Sequence, residues 1–72
     1  MKLNYYPETD SLYIDLLSKP SKESVEISEG IVLDYDNDRH ITGIDIDNAS
    51  HKIELSEIIL NRVPSQLQSI SA

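Results

Sequence analysis

Apolar and acidic residues alternate with period two along most of this chain. Leu12, Ile14 and Leu16 bracket Tyr13 and Asp15; Val25 and Ile27 bracket Glu26; Ile31, Leu33 and Tyr35 bracket Val32 and Asp34; Ile44 and Ile46 bracket Asp45. Successive side chains of a strand point to opposite faces. The pattern therefore predicts strands with one apolar face and one face carrying Asp15, Glu26, Asp34, Asp36, Asp45 and Asp47. Tyr6 and Tyr13 share the acidic parity, whereas Tyr5 and Tyr35 share the apolar one.

Turn signals divide these runs. Pro7-Glu8-Thr9-Asp10 ends a first strand at Leu3–Tyr6, and Ser11–Leu17 makes the second. Residues 18–22 form a loop, Glu23–Ser28 the third strand, and Glu29-Gly30 a bend, because glycine takes positive φ without steric cost. Ile31–Asp36 and Ile41–Asp47 then read as a hairpin. Their inward positions are odd before the turn and even after it, so same-face pairing needs an odd residue sum, which excludes a three-residue loop. A loop of residues 37–40 on a type I turn pairs Tyr35 with Thr42, Leu33 with Ile44 and Ile31 with Ile46. Asp34 then faces Gly43, with Asp45 diagonal to it.

Beyond Asp47 the period changes. Ile53, Leu55, Ile58, Ile59 and Val63 recur at helical spacing, Ser56 is suited to an N-cap, and Pro64 closes the segment. The expected fold is α+β: a small antiparallel β-meander of four to five strands, with one C-terminal helix over residues 55–63 packed on the apolar face. Leu12, Ile14, Leu16, Val25, Ile27, Leu33, Ile44, Ile46, Ile58 and Ile59 make its core. Residues 1–64 form a single domain and residues 65–72 a frayed tail.

Charge narrows the function. Thirteen acids against six Lys and Arg give a formal net charge of −7. That balance disfavours phosphate-rich nucleic acid and anionic membranes and favours a basic protein as partner; it also serves solubility. The chain has 72 residues and no Cys, so a thin core gains nothing from disulfides or thiolate metal sites. Oligomerisation is the remaining common reinforcement. Leu17, Val32, Ile41, Leu67 and Ile70 lack an obvious place in a monomer's core, which predicts a homodimer. No run approaches a membrane span, and the start has no long apolar region, so a cytoplasmic location is expected.

Candidate chemistry is sparse. Asp34, Asp36, Asp38, Ile41 and Asp45 echo the spacing of a calcium-binding loop, but Arg39 stands where the sharp turn needs Gly, and Asp45 where a bidentate Glu is needed. Asp34, Asp36 and Asp38 are the nearest candidates for metal binding, with no tight site expected. His40 and His51 have no metal-ligand spacing, and no Ser lies in a nucleophile-elbow pattern. No cofactor and no catalysis are expected.

Three blocks of sequence carry a resemblance: Tyr6-Pro7-Glu8-Thr9-Asp10-Ser11-Leu12-Tyr13-Ile14, Gly30-Ile31-Val32-Leu33-Asp34-Tyr35-Asp36 and Gly43-Ile44-Asp45-Ile46-Asp47-Asn48-Ala49-Ser50. In this order they resemble the small bacterial domain-of-unknown-function 2283 family. The resemblance implies a short meander of strands with a C-terminal helix and no transferable catalytic residue. Some members look like the non-toxic half of toxin–antitoxin pairs. Where the family often ends its turn with Asp-Gly, this chain has Asp38-Arg39. The resulting expectation is a non-enzymatic protein-binding module, antitoxin-like, that meets a small basic protein through Tyr6, Tyr13, Asp15, Glu26, Asp34 and Asp45. The alternative is a small metal-binding or regulatory domain using the same carboxylates.

Overall fold

The computed structural model describes residues 1–62, in which five strands form one antiparallel sheet. They are β1 (Lys2–Tyr6), β2 (Ser11–Asp15), β3 (Glu23–Ser28), β4 (Ile31–Tyr35) and β5 (Ile41–Ile46). The spatial order is β1-β2-β5-β4-β3. This is not the simple meander that the sequence suggests. The strands β3, β4 and β5 follow one another through hairpins, but β5 then docks against β2, a Greek-key arrangement. The connection of residues 16–22 must therefore cross the ends of two strands, about 14 Å at ~4.8 Å per strand. Its extended reach of over 20 Å suffices. The Leu16 and Leu17 amides donate to the Thr42 carbonyl (2.8 and 3.2 Å) and the Lys22 amide to that of Tyr35 (2.7 Å), so backbone groups hold both of its ends.

The expected hairpin register holds through most of β4 and β5. Ile31 pairs with Ile46, Leu33 with Ile44 and Asp34 with Gly43. Near the turn it shifts, and Tyr35 pairs with Ile41 instead of Thr42. The turn itself is closed by the Asp36 amide to the His40 carbonyl (3.0 Å) and the Arg39 amide to the Asp36 carbonyl (3.2 Å). Arg39 sits at φ 66. A type I turn followed by a left-handed residue is the usual three-residue hairpin loop. The loop that parity was expected to exclude is therefore the one that forms: Thr42 enters as an extra residue, and the bulge restores the alternation.

The expected C-terminal helix does not form among the described residues. Residues 52–62 carry no regular helix, and the only helical turn among the described residues is a 3₁₀ turn at Ala49–His51. The physical reason lies in length and residue type. A helix of two turns cannot recover its nucleation cost without tertiary contacts, and Ile53, Ile58 and Ile59 are β-branched. A run of turns and bends instead places Ile53 and Leu55 on the core, while Ile58, Ile59 and Leu60 stay exposed. The fold is all-β. Residues 63–72, including Val63 and Pro64, the expected tail at 65–72 and the apolar Leu67 and Ile70, lie outside the described residues.

The core is correspondingly thin. Leu12, Ile46 and Ala49 are buried, with Ile14, Ile31, Ile44, Ile53 and Leu55 packed against them. Leu16 and Leu33 are half-buried, but Val25 and Ile27 on edge strand β3 and Ile58 and Ile59 beyond the sheet are exposed, contrary to the expected core. One sheet covered by one short segment cannot bury both of its edges.

Two polar staples hold that segment. Asp10, left-handed at φ 53, accepts the Ser50 hydroxyl (2.7 Å), the Ser50 amide (3.1 Å) and the Tyr5 hydroxyl (2.8 Å), and its carbonyl takes the Ala49 amide (2.8 Å). Lys52 donates through Nζ to the carbonyls of Asp47 (2.7 Å) and Glu29 (3.0 Å). The first and third resemblance blocks thus meet at Asp10 and Ala49-Ser50.

Candidate functional site

Antiparallel pairing places directly opposed residues on one face, so the register spells out the acidic surface row by row. One row runs Asn4, Tyr13, Asp45, Val32 and Glu26 across the sheet; the next runs Lys2, Asp15, Gly43, Asp34 and Ser24. Tyr6 stands opposite Ser11 at the β1 edge of the same face. Tyr13, Asp15, Glu26, Asp34 and Asp45 therefore fall in two adjacent rows, with Tyr6 beside them. No two acids are directly opposed; Asp34 and Asp45 lie diagonally, with Gly43 and Val32 between them.

Asp36 leaves this face, whereas Asp47 stays near enough for its charge to act on Asp45. The Asp36 carboxylate turns back into the β4–β5 loop, where it is 7 % exposed. Its Oδ1 accepts the Asp38 and His40 amides (2.8 and 2.9 Å), and Oδ2 lies 3.2 Å from His40 Nδ1. These hydrogen bonds, led by that of the His40 amide, hold its carboxyl below the usual carboxylate range. Asp47 lies past the end of β5, where its amide donates to the Gly30 carbonyl (2.8 Å).

Tyr13 organises the centre of the face. Its hydroxyl crosses β5 to donate to Asp34 Oδ2 on β4 (2.8 Å), and Ser24 on β3 donates to the other oxygen of the same carboxylate (2.6 Å). The hydrogen bond to Asp34, followed by burial and the charges of Asp34, Asp15 and Asp45, pushes the Tyr13 hydroxyl up to about 12. Gly43 makes the crossing possible, since a Cβ there would overlap the Tyr13 hydroxyl and ring. An isolated glycine within a strand pattern signals such a close approach; neither that role nor the Ser24 bond is part of the parity argument.

Asp45 is under electrostatic stress. Partial burial, then the neighbouring carboxylates of Asp47 and Asp34, raise its pKa above the ordinary aspartate value. Beside it an open depression of about 360 Å³ is lined by Tyr13, Asp15, Leu17, Lys19 and Thr42, among others. Thr42, the bulge residue, is 2 % exposed and its hydroxyl oxygen has no hydrogen-bond partner.

The candidate metal set divides. Asp34 belongs to the sheet face with Tyr13 and Ser24, whereas Asp36 and Asp38 belong to the turn, where their oxygens approach His40 within 4.8 Å of one another. Most of Asp36's capacity already serves the turn's own amides. His51 lies beside Asp10 instead (3.7 Å), so the two histidines sit at different turns. Ser50, His51 and Asp10 are also close, with Ser50 Oγ 3.3 Å from His51 Nδ1. A catalytic triad uses the two ring nitrogens for two different partners. Here Nδ1 faces both, and Ser50 gives its hydroxyl proton to Asp10.

No helix among the described residues is long and apolar enough to cross a membrane. A family model described as a protein of unknown function (DUF2283) matches residues 2–50. Those residues comprise all five strands and the Asp10 staple, and end where the covering segment begins. No curated protein and no solved structure matches the chain.

Proposed function

We propose that this chain, which belongs to the DUF2283 family of proteins of unknown function, is a non-enzymatic binding module whose acidic sheet face receives a basic protein. The observation that carries the reading is the stress on Asp45, a carboxylate set among Asp34 and Asp47 with no cation opposite it in the register. A guanidinium or ammonium group arriving from a partner relieves that repulsion. Aromatic area for the contact comes from the Tyr6 ring, 50 % exposed at the edge of the patch. The Tyr13 ring, held by Asp34, gives the patch a fixed centre. An antitoxin-like role, in which the partner is a small basic protein, is the biological form of this reading that the charge favours.

Co-expression with the product of a neighbouring short basic reading frame tests it. The wild-type chain should co-purify with that product, with retention falling as salt rises. Asp15→Asn with Asp45→Asn should lose most of it while keeping the fold. Equal recovery with the double variant would leave the acidic face as solvated surface only.

A further inference from the structure

The opposite face of the sheet carries a separate surface. The register places Leu3 and Tyr5 on β1, Leu33 on β4, Ile44 on β5 and Val25 on β3 together on the apolar side. The covering segment spans only part of it. At the β1 edge an open groove of about 410 Å³ is left, lined by Leu3, Tyr5, Leu12, Leu55 and Ile58 among others. Leu3, Tyr5 and Ile58 are 42, 44 and 64 % exposed, and Val25 at the other edge 38 %.

We infer that this apolar face is the contact surface for a second copy of the chain, the two sheets stacking face to face. Three observations select that occupant. The first is area. Side chains of this size with these exposures, and their half-buried neighbours, leave an apolar surface on the order of 500 Å², near the upper limit for a monomer. A standard interface covers ~800 Å² per partner, of which about 60 % is apolar, so the area matches what a stable dimer needs.

The second observation is charge. Each chain carries a formal −7, and its acids crowd the other face. The apolar face bears Glu23 at its end, engaged with Arg39 at 3.0 Å, while Arg39 also lies 5.0 Å over the Tyr35 ring. Glu23 is the one carboxylate on the strands of this face, so two such acidic chains meet here over fewer like charges than on the other face, and a basic partner is drawn elsewhere. The third is stability. In a chain below ~70–80 residues a single core rarely supplies more than about 3–5 kcal/mol; this one has 72 residues, three buried apolar side chains among the described residues and no Cys. A second copy laid over the uncovered part of each face would extend that core. The surface differs from the set expected from sequence. Leu17 and Ile41, 39 and 38 % exposed, flank the bulge end of the sheet instead of the groove.

Sedimentation equilibrium of the full chain over micromolar to submillimolar concentrations tests the inference. The expected result is a reversible species of twice 8.1 kDa that tightens as salt rises, because screening reduces repulsion between like-charged chains. Binding of a basic protein to the acidic face weakens with salt, so the two surfaces separate by the sign of that dependence. Leu3→Lys with Ile58→Lys should weaken association at least tenfold with an unchanged far-ultraviolet spectrum. Should that variant not fold, backbone amide shifts of the wild type on dilution decide the matter. They should move at Leu3, Tyr5, Val25 and Leu33 and stay fixed at Asp15 and Asp45. A single 8.1 kDa species at every concentration, a folded variant that associates as tightly as wild type, or dilution shifts centred on the acidic face would each overturn it.

Discussion

Tyr13 reaches over Gly43 to hydrogen-bond Asp34 at 2.8 Å, so a residue on β2 is tied to one on β4 across the strand between them. The bond joins the β1–β2 hairpin to the β3–β4–β5 unit on the acidic face, where Val32 and the Tyr13 ring are the half-buried apolar groups. Gly43→Ala should therefore destabilise by ~1–3 kcal/mol, since either the ring or the strand must move. Tyr13→Phe removes only the hydrogen bond and should cost about 1 kcal/mol. For a chain this small that is a fall of roughly 4–8 °C in Tm. Thermal denaturation of both variants checks the order; a neutral Gly43→Ala would mean the ring does not cross the strand.

Alkaline titration reads the same bond. The Tyr13 hydroxyl is raised from 10.0 to about 12, so the folded state retains this proton where the unfolded chain has lost it. That contribution is full below pH 10 and disappears as pH rises through the folded value. Phenolate absorbance should show two late tyrosines, Tyr5 raised first of all by its hydrogen bond to Asp10 and Tyr13 last, and Tyr13→Phe should delete the last step alone.

At acid pH two signs oppose each other. Asp10 and Asp36 are depressed below 3.8 by hydrogen bonds, from the Ser50 hydroxyl first for Asp10 and the His40 amide first for Asp36. Their contribution is present above the unfolded value and is lost as pH falls through the folded one. Asp45 is raised, by burial first. It costs stability at neutral pH and is relieved as pH falls through its elevated value. Asp45→Asn should raise Tm at pH 7 and Asp36→Ala should lower it. Both effects should fade once pH drops below the lowest of these values. Melting curves from pH 2 to 7 test this, and an Asp45→Asn variant less stable than wild type at pH 7 would contradict it.

Arg39 occupies a left-handed position at φ 66, where glycine has no steric cost and other residues lose about 1 kcal/mol. Its ion pair with Glu23 and its stacking on Tyr35 offset part of that. Arg39→Ala keeps the strain and loses the contacts; Arg39→Gly loses both. The glycine variant should be more stable than the alanine variant by about 1 kcal/mol. Equal stability would show that the backbone relaxes out of the left-handed region.

For metals, calorimetric titration with calcium or zinc should give nothing tighter than about millimolar. Asp36 already accepts the Asp38 and His40 amides, and Asp34 lies on another face. A one-to-one micromolar isotherm abolished by Asp38→Asn would assign the turn a binding role instead.

Period-two alternation determined the strands and their two faces, because each side chain's face follows from its own position alone. It also determined that Leu33 meets Ile44 and Asp34 meets Gly43, since a one-residue slip there would turn the whole apolar set to solvent. The second part of the chain was less legible for reasons that are tertiary. Whether residues 53–62 form a helix depends on what the sheet offers them, and of these residues Ile53 and Leu55 are the ones packed against its core. The docking of β5 on β2 rests on pairing between strands far apart in sequence, which no local pattern encodes. Parity likewise assigned Asp36 to the acidic face, but the Thr42 bulge and the turn's free amides drew it inward. A backbone donor that must be satisfied outranks a side-chain pattern, and where such donors lie is decided only once the chain has folded.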